Sequence, residues 1–414
     1  VHLLFAVALT LSQLQRNKID AIVEQVMHVR HIAGLSLGVA RKGERLYLRG
    51  YGLRDVGRSL PADGYTIYSV GSIAKQFTAA LVLQEVAGGR IALDSPVRHY
   101  LSTIGTDAGI VTTAQLLNQT SGISSQSNAA GAELSFTPGS AWLYSNANYA
   151  LLGMILQKIS GAPFAMLLHD RITRPFALPS TACSQSPFAR NVALGYDWNG
   201  AWDEVRPSSH PEADRSCSAV GLISNAADLL TWLEGLRATR IVSASAFSSM
   251  THSGKLPDGV LTHYASGFFT PDWFGYRVAE HPGYTDGFSS QDALVLEDGL
   301  EVAVLTNAQT VDLSPLTESI VAILDPAKDL LTGGVPGAAQ NEDRRVSAAL
   351  QALLQTAGFA RYGELRSLEF IGRAVVRGVT YDRYRVTFST GQWWAMVGYR
   401  ANDAIESLSL TPIE

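Results

Sequence analysis

Lysine is scarce in this chain. There are six, against 26 arginines, and the net charge is −5 with an isoelectric point near 6.0. No basic run breaks that balance, so the electrostatic face that nucleic acid requires is missing. Cysteine is scarcer still: Cys183 and Cys217 are the whole complement. With no C-x-x-C and no H-E-x-x-H, the chain offers no zinc ligand set. The plainer reading of the two cysteines is a pair of partly buried free thiols, and the other is one disulfide. The G-x-S-x-G elbow of α/β-hydrolases is absent, as are glycine loops for dinucleotides or phosphates, and no cofactor is implied. Charged residues, at 17%, are too few for long disordered tails, while 46% apolar residues suffice for a sizeable core. The apolar stretch from Val1 to Leu11 is too short for a bilayer, which takes about 20 residues, so no integral membrane span is expected. It is similar to the apolar part of a secretory signal. On that rests the expectation of a secreted or periplasmic protein; the plainer reading is an N-terminal helix packed on the body.

The pattern along the chain predicts an α+β fold. Ile19, Ile22, Val23, Val26 and Met27 form a helical stripe. Two strand-like runs, Leu35 to Ala40 and Arg45 to Gly50, flank a Lys42-Gly43 turn. Gln76 to Val86 reads as a buried helix ended by Gly88-Gly89. Residues 112–235 read as mostly helical, including Tyr149 to Ile159 and Ala226 to Leu236, the latter capped by Ser224 or Asn225. Strands return after residue 260, with a hairpin of Asp292 to Leu296 and Glu301 to Thr306. Strands from both ends with helices between give an antiparallel sheet flanked by helices, with an inserted helical lobe. A Gly/Pro-rich stretch, 328–345, reads as a linker to a small C-terminal α+β domain, 346–414. Segment 1–19 and a main domain over 20–327 complete the expected organisation.

Three motifs carry chemistry. Only one lysine, Lys75, has a serine three residues before it, Ser72. On a helix that spacing puts both on one face, and the positive end of the helix disfavours the ammonium form. Both effects suit an amine that takes the Ser72 Oγ proton. Tyr144-Ser145-Asn146 offers a phenol for proton relay and an amide able to donate to substrate or to Lys75. In His281-Pro282-Gly283, the proline requires an edge strand and the glycine admits a close approach. The Tyr284 N–H could then join that of Ser72 as an oxyanion hole, with His281 stabilising negative charge or tuning Lys75 and Tyr144. Taken singly, each motif has a plainer reading: a serine cap, a packed tyrosine beside an asparagine cap, a structural histidine. Trp142, Trp198 and Trp202 are further candidates to line a site.

Taken together, in this order, the motifs resemble the serine β-lactamase and penicillin-binding-protein-like superfamily in its class C-like branch, where carboxylesterases and D-aminopeptidases are also found. Arg49-Gly50-Tyr51-Gly52, Leu93-Asp94-Ser95-Pro96-Val97, Gln119-Thr120-Ser121-Gly122-Ile123, Tyr149 to Gly153, Gly221 to Ser224 and Val304 to Asn307 extend the likeness over about residues 20–325. The resemblance implies Ser72 as acylated nucleophile, Lys75 and Tyr144 as base and acid, and Asn146 as support. It also implies the Ser72 and Tyr284 amides as oxyanion hole, and Gly283 and His281 beside the substrate. A small ester or peptide is the implied substrate, and a homo-oligomer is left open. One departure stands out. His281-Pro282 replaces the Lys-Thr or Lys-Ser that attracts a substrate carboxylate, so weak or no β-lactamase activity is expected.

Overall fold

The computed structural model describes residues 10–124, 134–183, 191–199, 204–208, 216–273, 276–309 and 311–324. Towards the C-terminus it describes 348, 351–352, 354–355, 363–376, 379–389, 391–399 and 405–412. Two compact units divide it, one of Val1–Pro271 with Val278–Thr317, the other of Asp272–Arg277 with Glu318–Glu414.

The first unit is built on an antiparallel sheet. Its strands lie in the order Leu60–Pro61, Glu44–Asp55, Gly34–Arg41, Leu300–Thr306, Phe288–Val295, Tyr276–Thr285. Lys42 and Gly43 both have positive φ, 52° and 79°, the twist a tight hairpin demands. Gly34–Arg41 then pairs with Leu300–Thr306, Gly38 opposite Ala303, so the two ends of the unit close one sheet. Phe288–Val295 and Leu300–Thr306 are buried at every residue, as strands covered on both faces must be. The cover includes the Ala226–Arg237 helix, which Asn225 caps by accepting the Asp228 N–H. A Cβ on Gly38 would lie 2.9 Å from Leu230.

The Ala74–Ala87 helix is apolar nearly all round and almost wholly buried. Phe77 stacks on Trp232 at 3.9 Å. The Trp232 indole donates to Gln76 Oε1 (2.8 Å), and Gln76 Nε2 donates to Asp292 Oδ1 (2.6 Å). Burial pushes the Asp292 carboxyl up to about 7. One polar chain thus ties the residue after Lys75 to the strand opposite His281, whose ladder partner is Asp292.

Residues 112–235 hold more than helices. Besides Asn146–Ser160 and Ala226–Arg237 they contribute two strands, Leu222–Ser224 and Ala182–Cys183, to a small sheet with Tyr68–Ser69, and a hairpin of Tyr196–Asn199 with Glu204–Pro207. Strands of two to four residues leave no periodicity to read. That sheet also corrects the plainer reading of the cysteines. Cys183 lies opposite Leu222, the turn from Ser216 to Gly221 folds back beside it, and Cys183 is bonded to Cys217 with Cα atoms 5.4 Å apart.

The second unit has a four-stranded antiparallel sheet in chain order: Leu365–Val376, Val379–Phe388, Gly391–Tyr399, Ile405–Pro412. Tyr384, Val386 and Phe388 alternate inward to meet Ala395, Val397 and Leu354. The last strand was not anticipated. Of the helix expected over Val346 to Gln355, residues 348, 351, 352, 354 and 355 are described, the first four helical and the last a turn. The linker 328–345, residues 1–9 and Trp202 lie outside the described residues. Among the described residues, no single helix is long and apolar enough to cross a membrane.

Trp232→Ala should cost about 3–5 kcal/mol of stability, because it leaves a large cavity and removes the donor to Gln76 Oε1. Denaturant unfolding checks this; a cost below about 1 kcal/mol would mean the stack on Phe77 is not holding the helix.

Candidate active site

The strand Tyr68–Ser69 ends in a tight turn, Gly71–Ile73, that carries Ser72 just ahead of the Ala74–Ala87 helix. Ser72 is therefore not a helix cap. Gly71 has φ of 52°, and a Cβ there would lie 2.7 Å from the backbone N of Tyr284. A Cβ on Gly283 would collide with the Val70 carbonyl oxygen, which is held by the Ser290 hydroxyl at 2.9 Å. Two glycines thus bring the serine turn against the Gly283-Tyr284 backbone. Residues 281–285 pair on one side with residues 288–292; on the other side the strand meets Asp272–Trp273 at 276–277 and Phe269 at Glu280, and Pro282, which has no N–H, lies past those outer pairings.

Lys75 is fully buried. Its Nζ lies 3.0 Å from Ser72 Oγ, 2.7 Å from Asn146 Oδ1 and 2.8 Å from the Ala219 carbonyl oxygen. No carboxylate pairs with it among the described residues. Burial holds its pKa well below the ordinary lysine value of 10.5. The Tyr144 and Tyr149 ring centroids, 4.9 and 5.7 Å from Nζ, pull the other way by favouring a cation. That attraction is about 1–2 kcal/mol, whereas an unpaired buried ammonium costs several, so burial wins and the neutral amine is favoured. Asn146 accepts from Lys75 rather than donating to it, and it is the first residue of its helix, with Ser145 as cap.

Gln119 places the tyrosine. In a left-handed conformation (φ 60°), it accepts the Ser145 N–H (3.0 Å) and the Asn148 amide (2.6 Å) on its side chain and the Leu143 N–H on its backbone. Tyr144, held between these, hydrogen-bonds Ser72. Burial raises its pKa well above 10.0, so it stays a phenol.

His281 is buried, its ring 6.0 Å from that of Tyr144. Its Nδ1 lies 2.6 Å from the Pro282 carbonyl, which can only accept, so Nδ1 carries the proton. Nε2 is then a bare acceptor, 3.4 Å from the Tyr264 hydroxyl. Burial and the nearby Lys75 push its pKa down to about 3. A neutral ring whose one N–H is given to the Pro282 carbonyl does not stabilise an anion, which argues against the first of the two expected roles. Trp142 lies in the same aromatic cluster, 6.0 Å from Tyr264 and 6.1 Å from Phe269, whereas Trp198 stacks on His31. Tyr264 and the Ala219 carbonyl belong to the site and were not foreseen. A backbone carbonyl has no signature in sequence, and Tyr264 stands in no motif.

A family model described as Beta-lactamase matches residues 19–323. The chain belongs to the beta-lactamase family. The Staphylococcus aureus (strain MW2) protein flp is 26% identical over an alignment of 335 residues that covers 74% of this chain. This chain spans 66% of that relative's length. Among solved structures, the octameric penicillin-binding protein homologue from Pyrococcus abyssi is similar in fold, with a TM-score of 0.68. It is 21% identical and covers 96% of this chain and 98% of its own. The D-stereospecific amidohydrolase from Streptomyces sp. is 26% identical with a TM-score of 0.61, over 72% of this chain and 97% of its own. The α+β architecture expected of the family is the one observed.

Gly283→Ala should lower the rate of Ser72 labelling by a fluorophosphonate about a hundredfold, since a displacement near 1 Å suffices. An unchanged rate would show that the close approach to Val70 does not govern the site.

Proposed function

We propose that the chain is a serine hydrolase that cleaves small carboxylic esters or amides through an acyl-enzyme on Ser72. The observation that carries this is the environment of the Lys75 amine. A neutral amine has two N–H groups and one lone pair. Asn146 Oδ1 and the Ala219 carbonyl take the two N–H groups, which leaves the lone pair for the proton of the Ser72 hydroxyl, whose Oγ lies 3.0 Å from Nζ. Ser72 Oγ, relieved of its proton, attacks the substrate carbonyl. The amides of Ser72 and Tyr284 meet the developing oxyanion. Tyr144, a phenol, gives its proton to the leaving group and is reprotonated with the proton that Lys75 took from Ser72, so Lys75 rather than a resting tyrosinate serves as base and is neutral again once the acyl-enzyme has formed. Water then hydrolyses the acyl-enzyme with the same groups in reverse.

With His281 neutral and Pro282 lacking both N–H and hydroxyl, this stretch has no fixed cation for a substrate carboxylate. The substrate class is therefore neutral at that point, and penicillins and cephalosporins are poor substrates; rapid nitrocefin turnover would contradict this. We also propose an extracytoplasmic home. The Cys183–Cys217 bond supports it, since reducing compartments keep thiols apart; protein drawn from its cells with both thiols free would count against it.

Mixing with an activated p-nitrophenyl ester should give a nitrophenol burst and an added acyl mass in the wild type, and neither in Ser72→Ala. An equal adduct in Ser72→Ala would refute the assignment. The same assay gives the pH test. Activity needs the deprotonated amine, so it rises with pH along a limb set well below 10.5, and His281, neutral down to about 3, adds no limb near 6.5. A rate that climbs only with ordinary lysines would contradict a depressed Lys75.

A further inference from the structure

The serine-hydrolase reading uses the Ala219 carbonyl but leaves open what holds that carbonyl in place. Ala219 lies in a turn whose bonds run forward from Ser216. The Ser216 carbonyl collects the N–H groups of Ala219 (3.0 Å), Val220 (3.0 Å) and Gly221 (3.1 Å). The next carbonyl but one, Ser218, accepts from Thr78 Oγ1 at 2.7 Å, three residues beyond Lys75 on the same helix. The Ser218 side chain occupies the place a Cβ on Gly153 would take, in the helix that begins with Asn146. Leu222, just past the turn, accepts the Val70 N–H at 2.9 Å and so steadies the turn that carries Ser72. One short segment therefore touches the nucleophile turn, the lysine and the helix of Asn146. Its upstream end is Cys217, bonded to Cys183, and Cys183 sits across the ladder from Leu222. The strand that carries Cys183 is two residues long, so hydrogen bonding alone anchors it weakly.

We propose that the Cys183–Cys217 disulfide positions the Lys75 amine, by fixing the turn whose Ala219 carbonyl takes one of its N–H groups. This rests on the reading of Ser72 as an acylated nucleophile. The bond is not itself part of the chemistry; it restricts how the amine can rotate. With the Ala219 carbonyl in place, only the lone pair faces Ser72. With the turn loosened, an N–H can face Ser72 instead, and the amine no longer accepts the proton. A dithiol reverses the constraint: the protein disulfide takes up two electrons and two protons to give two thiols, and the dithiol becomes a disulfide. The acylation rate is then linked to the redox state of a bond that no substrate touches.

The test compares native enzyme, enzyme reduced with dithiothreitol and blocked with iodoacetamide, and the Cys183→Ser/Cys217→Ser variant. The burst rate with a p-nitrophenyl ester, the ester concentration that half-saturates that burst rate, and far-UV circular dichroism are recorded for each. We expect an acylation rate reduced by about tenfold or more, a half-saturating concentration changed by less than about twofold, an unaltered dichroism spectrum, and recovery of the rate when unblocked reduced enzyme is reoxidised. Equal burst rates with and without the bond would overturn the proposal alone. Loss of dichroism in parallel with rate would overturn it too, because the bond would then hold the whole fold rather than one turn. No adduct on Ser72 in the native, oxidised enzyme would instead overturn the acyl-enzyme reading, and this proposal with it.

Discussion

A buried amine with no counter-ion is the constraint on which the rest of this structure depends. Lys75 is one of only six lysines, and it is fully enclosed, with three oxygens around its nitrogen and two tyrosine rings beside it. Left charged, it would be among the costliest groups in the core. Left neutral, it is a base with a direction. The protein tolerates the group by giving each of its N–H atoms an acceptor, and that same choice fixes where the lone pair points.

Much of the surrounding architecture serves to hold those acceptors still. Asn146 opens a helix whose start is organised by Gln119. Ala219 lies in a turn tied to Thr78, Val70 and the disulfide. Ser72 rides on a turn pressed against the Gly283-Tyr284 backbone, at a distance that only glycine at 71 and 283 allows. Behind the helix, the chain from Trp232 through Gln76 to Asp292 couples its depth to the central sheet. These contacts come from elements far apart in sequence, which is why the fold has to close strands from both ends before the site exists.

The fold and the site were legible to different degrees. Long periodic elements were plain, because burial repeats every 3.6 or two residues: Gln13–Val29 and Ala226–Arg237 stand where the stripes put them. The short sheet of Tyr68–Ser69, Leu222–Ser224 and Ala182–Cys183 was not, because strands so short carry no period. The disulfide was one of the two readings the cysteines left open, and the pairing of that sheet decides between them. Ser72, Lys75, Tyr144 and Asn146 were legible as residue types at telling spacings, and the structure gathers them. The sense of the Asn146 bond, the silent tautomer of His281 and the part played by the Ala219 backbone were not, since each depends on which neighbour the tertiary fold supplies.

The direct test of the neutral, oriented amine is a titration of the lysines themselves. With six in the chain, uniform 13C labelling of lysine gives a countable set of Cε resonances, and Lys75→Met assigns the one in question. The account predicts that this resonance titrates well below the rest, under conditions where the dichroism spectrum does not change. If it moves together with the other five, Lys75 is an ordinary ammonium at working pH and cannot be the base.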